Sequence, residues 1–356
     1  MNKFYYALFA ALGFSVLTAK AQSGFDQLIK SSPADATKLI DAYAEPLFKG
    51  IGYGLNSGWT NTAKAKGLAR FDLRITASMA FAPDKDKSFD VTKIGLSNHL
   101  RPASASNTIS PTFAGSKNDG PVMNIYDDNG NKVGSYTMPG GQLSFVPTPQ
   151  LQLTAGIIKN TDLTLRAIPK VKPSEDVGSV SMIGFGFKHN IMRDFVGKRA
   201  ERLIPFDLAV LFGYTHLNYE KSLNVRPESG AIPSSAGQSS DFSNQFIRGH
   251  VNSWMAGAIL SKQLAVFTPF VSVAYNSSKT DVGLIGNYPI TTSVSVGNFS
   301  QKFYTTYKDP VTINKKNVNN VRADIGFQLN LAFFRIFASY GLAEYKTVNG
   351  GIGFGI

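Results

Sequence analysis

The 356 residues contain no cysteine. That excludes a disulfide scaffold, thiolate metal sites, a cysteine nucleophile and a lipid anchor on a leading cysteine. Charge is also scarce, with Asp, Glu, Lys and Arg making up 17% of the chain, against about 25% in an ordinary soluble domain. Beyond the first residues no apolar run reaches the roughly 18 residues that a membrane-spanning helix requires. Histidine is limited to His99, His189, His216 and His250. No His-Glu-x-x-His helix, P-loop or Gly-x-Ser-x-Gly elbow occurs. The glycines at 350, 351, 353 and 355 lead into no helix and read as strand. His250 and Ser253 are three apart, on opposite faces of a strand, and make no catalytic pair. The expectation is therefore no enzyme, no catalytic residues, no metal and no cofactor.

What the chain does have is 33 glycines, 12% aromatic residues and a net charge of +12. Lys3, the apolar stretch Phe4 to Leu17 and Ala19-Lys20-Ala21 read as a secretory signal peptide over residues 1–21, cleaved before Gln22. Export removes nucleic acid as a partner, because excess basic charge outside the cytoplasm need not mean DNA.

Residues 22–60 read as an N-terminal helical plug segment. Ser32 is placed to cap a helix, Pro33 suits its first position and Asp35 stands where a capping box wants an acid. Leu39, Ile40, Tyr43 and Leu47 form one apolar stripe, and Pro46 is expected to stop the helix. The segment either docks as a helix or plugs a barrel mouth.

From residue 61 onward the pattern is β, with a period of two. Phe71, Leu73, Ile75, Ala77, Met79 and Phe81 alternate with Arg70, Asp72, Arg74, Thr76, Ser78 and Ala80. Residues 321–330 repeat this, as do 151–157 and 206–215. Further strands are expected near 87–97, 162–168, 179–188, 245–260, 264–276, 332–343 and 346–356, with another at 50–59. Several runs reach the length a tilted strand needs to cross a bilayer. Tight links at 159–162, at 261–263 and around Asn330 alternate with long polar links at 98–146, 220–243 and 277–318, and a medium one at 169–177. That alternation suits short periplasmic turns and long outer loops. The link 98–146 is expected to hold a hairpin around Asp127-Asp-Asn-Gly-Asn131, and 188–204 a basic amphipathic helix on the periplasmic side. The fold class is all-β: a transmembrane antiparallel β-barrel of about 12 strands, with 10 to 14 allowed, over residues 61–356.

The runs Tyr43 to Gly50 and Leu55 to Lys64, followed by Phe71-Asp-Leu, carry a resemblance. So do Pro147 to Leu153, Thr161 to Arg166, and Gly184 to His189. Together they resemble an uncharacterised family of outer-membrane barrels from Bacteroidota-type bacteria, and more distantly the long-chain fatty-acid transporter barrels. The resemblance implies a location in the bacterial outer membrane and an N-terminal hatch inside the pore. The transporters' Asn-Pro-Ala hatch motif is absent, with Asn56-Ser-Gly-Trp59 near its place.

Lumen-facing candidates are Arg70, Asp72, Arg74, Arg166, Arg248, Arg322, Asp324 and Arg335, with Asp207 and His250. They form either an Arg–carboxylate lattice bracing the wall or a basic track for an anionic or amphiphilic solute. Two functions are expected to compete. One is passage of small hydrophobic or amphiphilic, fatty-acid-like molecules through a plugged lumen. The other is a structural or partner-binding scaffold without transport. Expected partners are outer-membrane lipid, a hydrophobic small molecule, and a periplasmic or surface protein.

Overall fold

The computed structural model describes residues 27–175, 177–195, 205–295 and 301–355. The signal peptide expected over 1–21 lies outside these residues. So does most of the basic helix expected over 188–204, of which only the short helix Met192–Phe195 is described.

Ten strands close into a barrel. They are β1 Phe71–Phe81, β2 Val146–Ile158, β3 Thr161–Ser174, β4 Gly178–Asn190 and β5 Asp207–Leu223. The second half is β6 Gln245–Ser261, β7 Phe267–Ile285, β8 Val311–Leu331, β9 Phe334–Leu342 and β10 Lys346–Gly355. Each strand pairs antiparallel with its neighbour in sequence, and β10 closes on β1 with Leu73 opposite Phe354. Closure leaves no sheet edge and gives the wall's backbone groups partners within the sheet.

The strand count corrects the expected twelve to ten. The two surplus strands are 50–59, which is helix up to Leu55, and 87–97, where only Ser88–Asp90 is extended and pairs outside the barrel. Alternation alone cannot distinguish a wall strand from a short extended piece of loop.

One end of the barrel carries tight turns at 159–160, 262–266 and 332–333, and the other carries long links at 82–145, 224–244 and 286–310. These loops are displaced from the expected 98–146, 220–243 and 277–318 because the strands run further. β7 has 19 residues and β8 has 21. The link expected at 169–177 shrinks likewise, since β3 continues to Ser174. Within the 82–145 link, Val122–Tyr126 and Lys132–Thr137 form the hairpin around the Asp-Asn-Gly-Asn turn.

Helix α1, Pro33–Leu55, lies in the lumen, with neighbours on β1 and β2 on one side and β6, β7 and β8 on the other. Ser32 Oγ accepts from Asp35 N at 3.3 Å, capping the first turn. Pro46 does not end the helix, contrary to the sequence expectation. Its ring costs about 3 kcal/mol in an isolated helix interior, but the barrel packs this helix from several sides, and tertiary contact offsets the loss. Gly50, Gly52 and Gly54 continue it for a steric reason: a Cβ on Gly52 would lie 2.7 Å from Ser278 Cβ, and the other two would meet Val146 and Thr148. The chain enters the lumen at the loop end, where Asp35 takes bonds from Ser97 N and Oγ at 2.8 and 2.6 Å. It leaves at the turn end, where Ala69 N donates to Gly156 O at 3.0 Å before β1 begins.

The outer face carries an apolar belt. Exposed large hydrophobics occur on all ten strands, among them Leu73, Leu153, Leu165, Phe185, Phe212, Trp254, Val273, Ile325, Tyr340 and Ile352. No helix among the described residues is long and apolar enough to cross a membrane.

Candidate functional site

The lumen is where side chains from distant parts of the sequence converge. Asp72, Arg74, Arg166 and Arg322 are buried inside the wall. Asp324 and Arg335 also point inward, each bound to another of this set: Arg322 Nε donates to Asp324 Oδ1 at 2.8 Å, and Arg335 Nη1 to Asp72 Oδ1 at 2.8 Å. Asp207 lies at the turn-end rim and accepts from Asn190 and Arg193.

Three of the lumen candidates are corrected. Arg70 precedes β1 and is exposed. Arg248 and His250 occupy the outer face of β6, whose buried positions are Gln245, Ile247, Val251, Ser253 and Met255. The physical reason is that the upper part of this strand turns Ile247 and Val251 inward against apolar neighbours, which leaves the polar phase outside. Ser253, unlike His250, faces inward.

The seam between plug and wall is polar in the turn half of the barrel. Helix α1 has no basic residue in its last turn, so its free carbonyls must find donors elsewhere. The wall supplies them. Arg166 Nη1 and Nη2 donate to Leu55 O at 2.7 Å and Ser57 O at 3.0 Å, and Arg322 Nη1 to Tyr53 O at 3.3 Å. Cations at a helix C-terminus also meet the negative end of its dipole. Gln150 Nε2 donates to Gly54 O at 2.7 Å and Gln152 Nε2 to Trp59 O at 3.3 Å. Further down, Lys188 Nζ donates to Thr62 O and Lys64 O at 3.0 and 2.9 Å.

Cations outnumber acids along this seam. Asp72 alone faces Lys66 at 3.4 Å, Arg74 at 2.5 Å and Arg335 at 2.8 Å. Asp162 pairs with Lys188 at 3.0 Å, and Asp324 with Arg322. Arg166 has no carboxylate partner among the described residues and lies 3.8 Å over the Trp59 ring instead.

The opposite side of the same level is apolar. Trp59 and Ala63 of the plug pack with Ala209, Leu211, Met255, Ile259, Phe270 and Ala274. Gly186 and Gly213 make the seat for the indole, since a Cβ on Gly186 would lie 2.7 Å from Trp59 Cζ3. A cavity lies between the two sides, lined by Trp59, Thr60, Lys66, Arg74, Asp162, Lys188 and Leu211 among others. This part of the lumen is thus amphipathic across its width.

At the loop end the plug is tied down by both packing and charge. Leu28, Leu39, Ile40, Tyr43 and Phe48 share one apolar cluster with Leu223, Ile247, Leu284 and Ile313 of the wall and Met123 and Met138 of the 82–145 link. Beside it Lys49 reaches Glu45, Asp86 and Glu344 at 3.1, 3.0 and 3.2 Å. Burial would push the Lys49 ammonium down, but the Asp86 and Glu45 carboxylates outweigh it and hold it above the usual lysine value. Burial likewise pushes the Glu344 carboxyl up, and the bonds from Lys85 and Lys49 prevail to hold it below the usual range.

Sequence reasoning passed over Lys66, Gln150, Gln152, Asp162 and Lys188. Gln150, Gln152 and Lys188 lie on the polar phase of strands already recognised, where alternation could have found them. Lys66 lies in an irregular segment with no periodic signal. No group of acidic or histidine side chains that could hold a metal occurs among the described residues.

Comparison with known proteins adds a family. The chain belongs to a family of unknown function (DUF6588), whose model matches residues 1–356. No curated protein matches it. Among solved structures it is similar to the outer membrane protease OmpT from Escherichia coli, at 8% identity and TM-score 0.31, covering 84% of this chain and 99% of that one. The outer membrane transporter YddB from Escherichia coli gives 13% identity and TM-score 0.28, covering 78% of this chain and 39% of that one. The Pseudomonas putida toluene transporter TodX gives 10% identity and TM-score 0.22, covering 88% and 97%. All three scores are low, and the likeness carries no argument about activity or substrate.

Proposed function

With membership of that family as the premise, we propose that the chain is a bacterial outer-membrane barrel, exported by a signal peptide cleaved after residue 21. It admits small hydrophobic or amphiphilic molecules, fatty-acid-like in kind, past a plug that moves. The apolar belt on all ten strands supports a lipid surround, since exposed apolar surface of that extent is costly in water. The tight turns then face the periplasm and the long links the exterior.

The observation that carries the transport reading is the amphipathic lumen at the level of the belt. A surplus of cations on β1, β3 and β4 faces the apolar seat of Trp59 on β5, β6 and β7. An acyl chain with an anionic head matches both sides. The polar seam also allows motion, because hydrogen bonds to backbone carbonyls can be exchanged for water at little net cost. We propose no enzymatic step, and lipid, the transported solute and a periplasmic or surface protein are the partners this reading requires or allows.

The absence of cysteine makes a clean test. Ala63 N lies 2.8 Å from Ser261 Oγ, so Ala63→Cys with Ser261→Cys can tether the plug to β6 reversibly. Reduced protein in liposomes should speed uptake of a labelled fatty acid over empty liposomes, and oxidation should abolish the gain. Equal rates for reduced, oxidised and empty liposomes would remove the transport reading. The scaffold reading would then stand, supported by the apolar cluster that anchors the upper plug.

A further inference from the structure

Above the belt, the outer face of β5 and β6 carries a polar cluster that the lumen does not use. Tyr214 and Trp254 stand opposite each other, and Trp254 packs on Tyr275 of β7 with ring centroids 5.5 Å apart. Aromatic residues with a polar tip mark the water interface of a membrane barrel. The next outward positions toward the loops are His216 and Asn218 on β5, and Asn252 and His250 on β6. Their height is therefore that of the outer-leaflet headgroups, on the outer-membrane reading above.

The internal bonding of the cluster is one-sided. Asn252 Oδ1 accepts from Tyr214 Oη at 2.8 Å and meets His216 Nδ1 at 2.7 Å. Asn218 Oδ1 meets His216 Nε2 at 3.0 Å and His250 Nδ1 at 2.6 Å. Both His216 nitrogens thus face amide oxygens. The two imidazole rings stack with centroids 5.9 Å apart. Every acceptor oxygen of the two amides is consumed inside the cluster. The donors are not: Asn218 Nδ2, Asn252 Nδ2 and His250 Nε2 have no partner among the described residues. Arg248 extends the row and is half exposed, touching Glu220 at 3.5 Å, which also holds Lys170 at 3.3 Å. Asp281, opposite His250 on β7, is the other nearby carboxylate.

A face with spent acceptors, free donors and flanking cations is suited to phosphate and hydroxyl oxygens. Placed just above an aromatic girdle, it meets them on lipid headgroups. We propose that His216, Asn218, His250, Asn252 and Arg248 bind the phosphorylated saccharide headgroup of an outer-leaflet glycolipid. Glu220 and Asp281 are then placed to accept its hydroxyls. The site lies outside the lumen, so it fixes the barrel's lipid surround rather than its cargo.

The test uses full-length protein in detergent with lipid A, dephosphorylated lipid A and inorganic phosphate as probes, bound lipid being read by native mass spectrometry. Wild type should retain lipid A, and Arg248→Ala combined with Asn252→Ala should bind it about tenfold more weakly, as the loss of one or two charge-assisted bonds implies. Lys346→Ala, at the loop end of β10, should bind as wild type. The proposal falls if dephosphorylated lipid A is held as tightly, if the double variant binds unchanged, or if free phosphate displaces the lipid completely. A protein with no heat-dependent gel mobility shift would count against the outer-membrane reading itself, before any binding is measured.

Discussion

Two halves of one wall obey opposite rules. In the turn half, β5 turns Val210 and Phe212 outward and Gly213 and Thr215 inward, while β8 turns Ile325 and Phe327 outward and Arg322 and Gln328 inward. In the loop half the same β5 turns His216, Asn218 and Glu220 outward and presents Leu223 to the plug, joined by Ile247 of β6 and Leu284 of β7. The crossover falls at Tyr214, Trp254 and Tyr275. The β5–β6 pairing runs through it without a shift, whereas β8 carries one extra residue, Asn317, against Ser278 and Lys279 of β7 and changes phase there. On the proposed outer-membrane reading, the apolar side chains go out against lipid and the polar ones bind one side of the plug by hydrogen bonds. Against water the apolar side chains go in, and the plug is held as in any soluble core. The plug is therefore anchored at its top by an extended apolar core, and at its foot by hydrogen bonds along one side and the smaller Trp59 cluster along the other.

The largest break in this comparison should come from the upper core. Leu39 is fully buried there, and Leu39→Ala should cost about 2–5 kcal/mol, as cavity-forming substitutions do. Urea unfolding of the barrel in vesicles measures it, and a loss confined to a few tenths would mean the loop half has no packed core. Next comes the outer face at two heights. Ile325→Arg should cost about 2–4 kcal/mol if it faces the bilayer midplane, whereas Ser222→Arg, exposed on the outer face of β5 above the girdle, should stay within about 0.5 kcal/mol. Equal tolerance would erase the crossover.

The smallest effect concerns pH. Glu344 is held below a free glutamate's 4.5, so its contribution is full at neutral pH and is lost as pH falls through that range. Lys49 is held above lysine's ordinary 10.5, so its contribution is full below that value and lost only as pH rises beyond it. The latch around Lys49 should thus loosen on the acid side alone within the pH range from mildly alkaline down to 4. Limited proteolysis should cut helix α1 modestly faster at pH 4 than at pH 7, and Glu344→Gln should remove most of that difference.

Much of the architecture was legible along the chain. Period-two runs marked the wall strands, the Asp-Asn-Gly-Asn turn marked a hairpin, and Ser32, Pro33 and Asp35 marked the start of the helix. Each of those signals is local: a cap, a turn or an alternating face acts over a few residues, whatever the rest of the chain does. The phase was legible on β1, β2, the turn half of β5 and the turn half of β8, but not on β6, where Arg248 and His250 stand on the outer face.

What alternation could not supply is the identity of the medium on each face. Arg248 and His250 stand on the outer face of β6 against expectation, because a polar phase looks the same in sequence whether it lines a pore or meets water outside a wall. The sequence by itself determined where the ten wall strands lie, the phase of most of them and the start of the helix, because these follow from side-chain spacing and local hydrogen bonding. Only the tertiary structure decided that ten strands close, that α1 runs through Pro46 and its glycines, and that the wall's polarity reverses at the girdle. Those outcomes depend on what lies against each residue, and Ser278 against Gly52 or Arg166 against Leu55 are neighbours brought together by closure from more than a hundred residues apart.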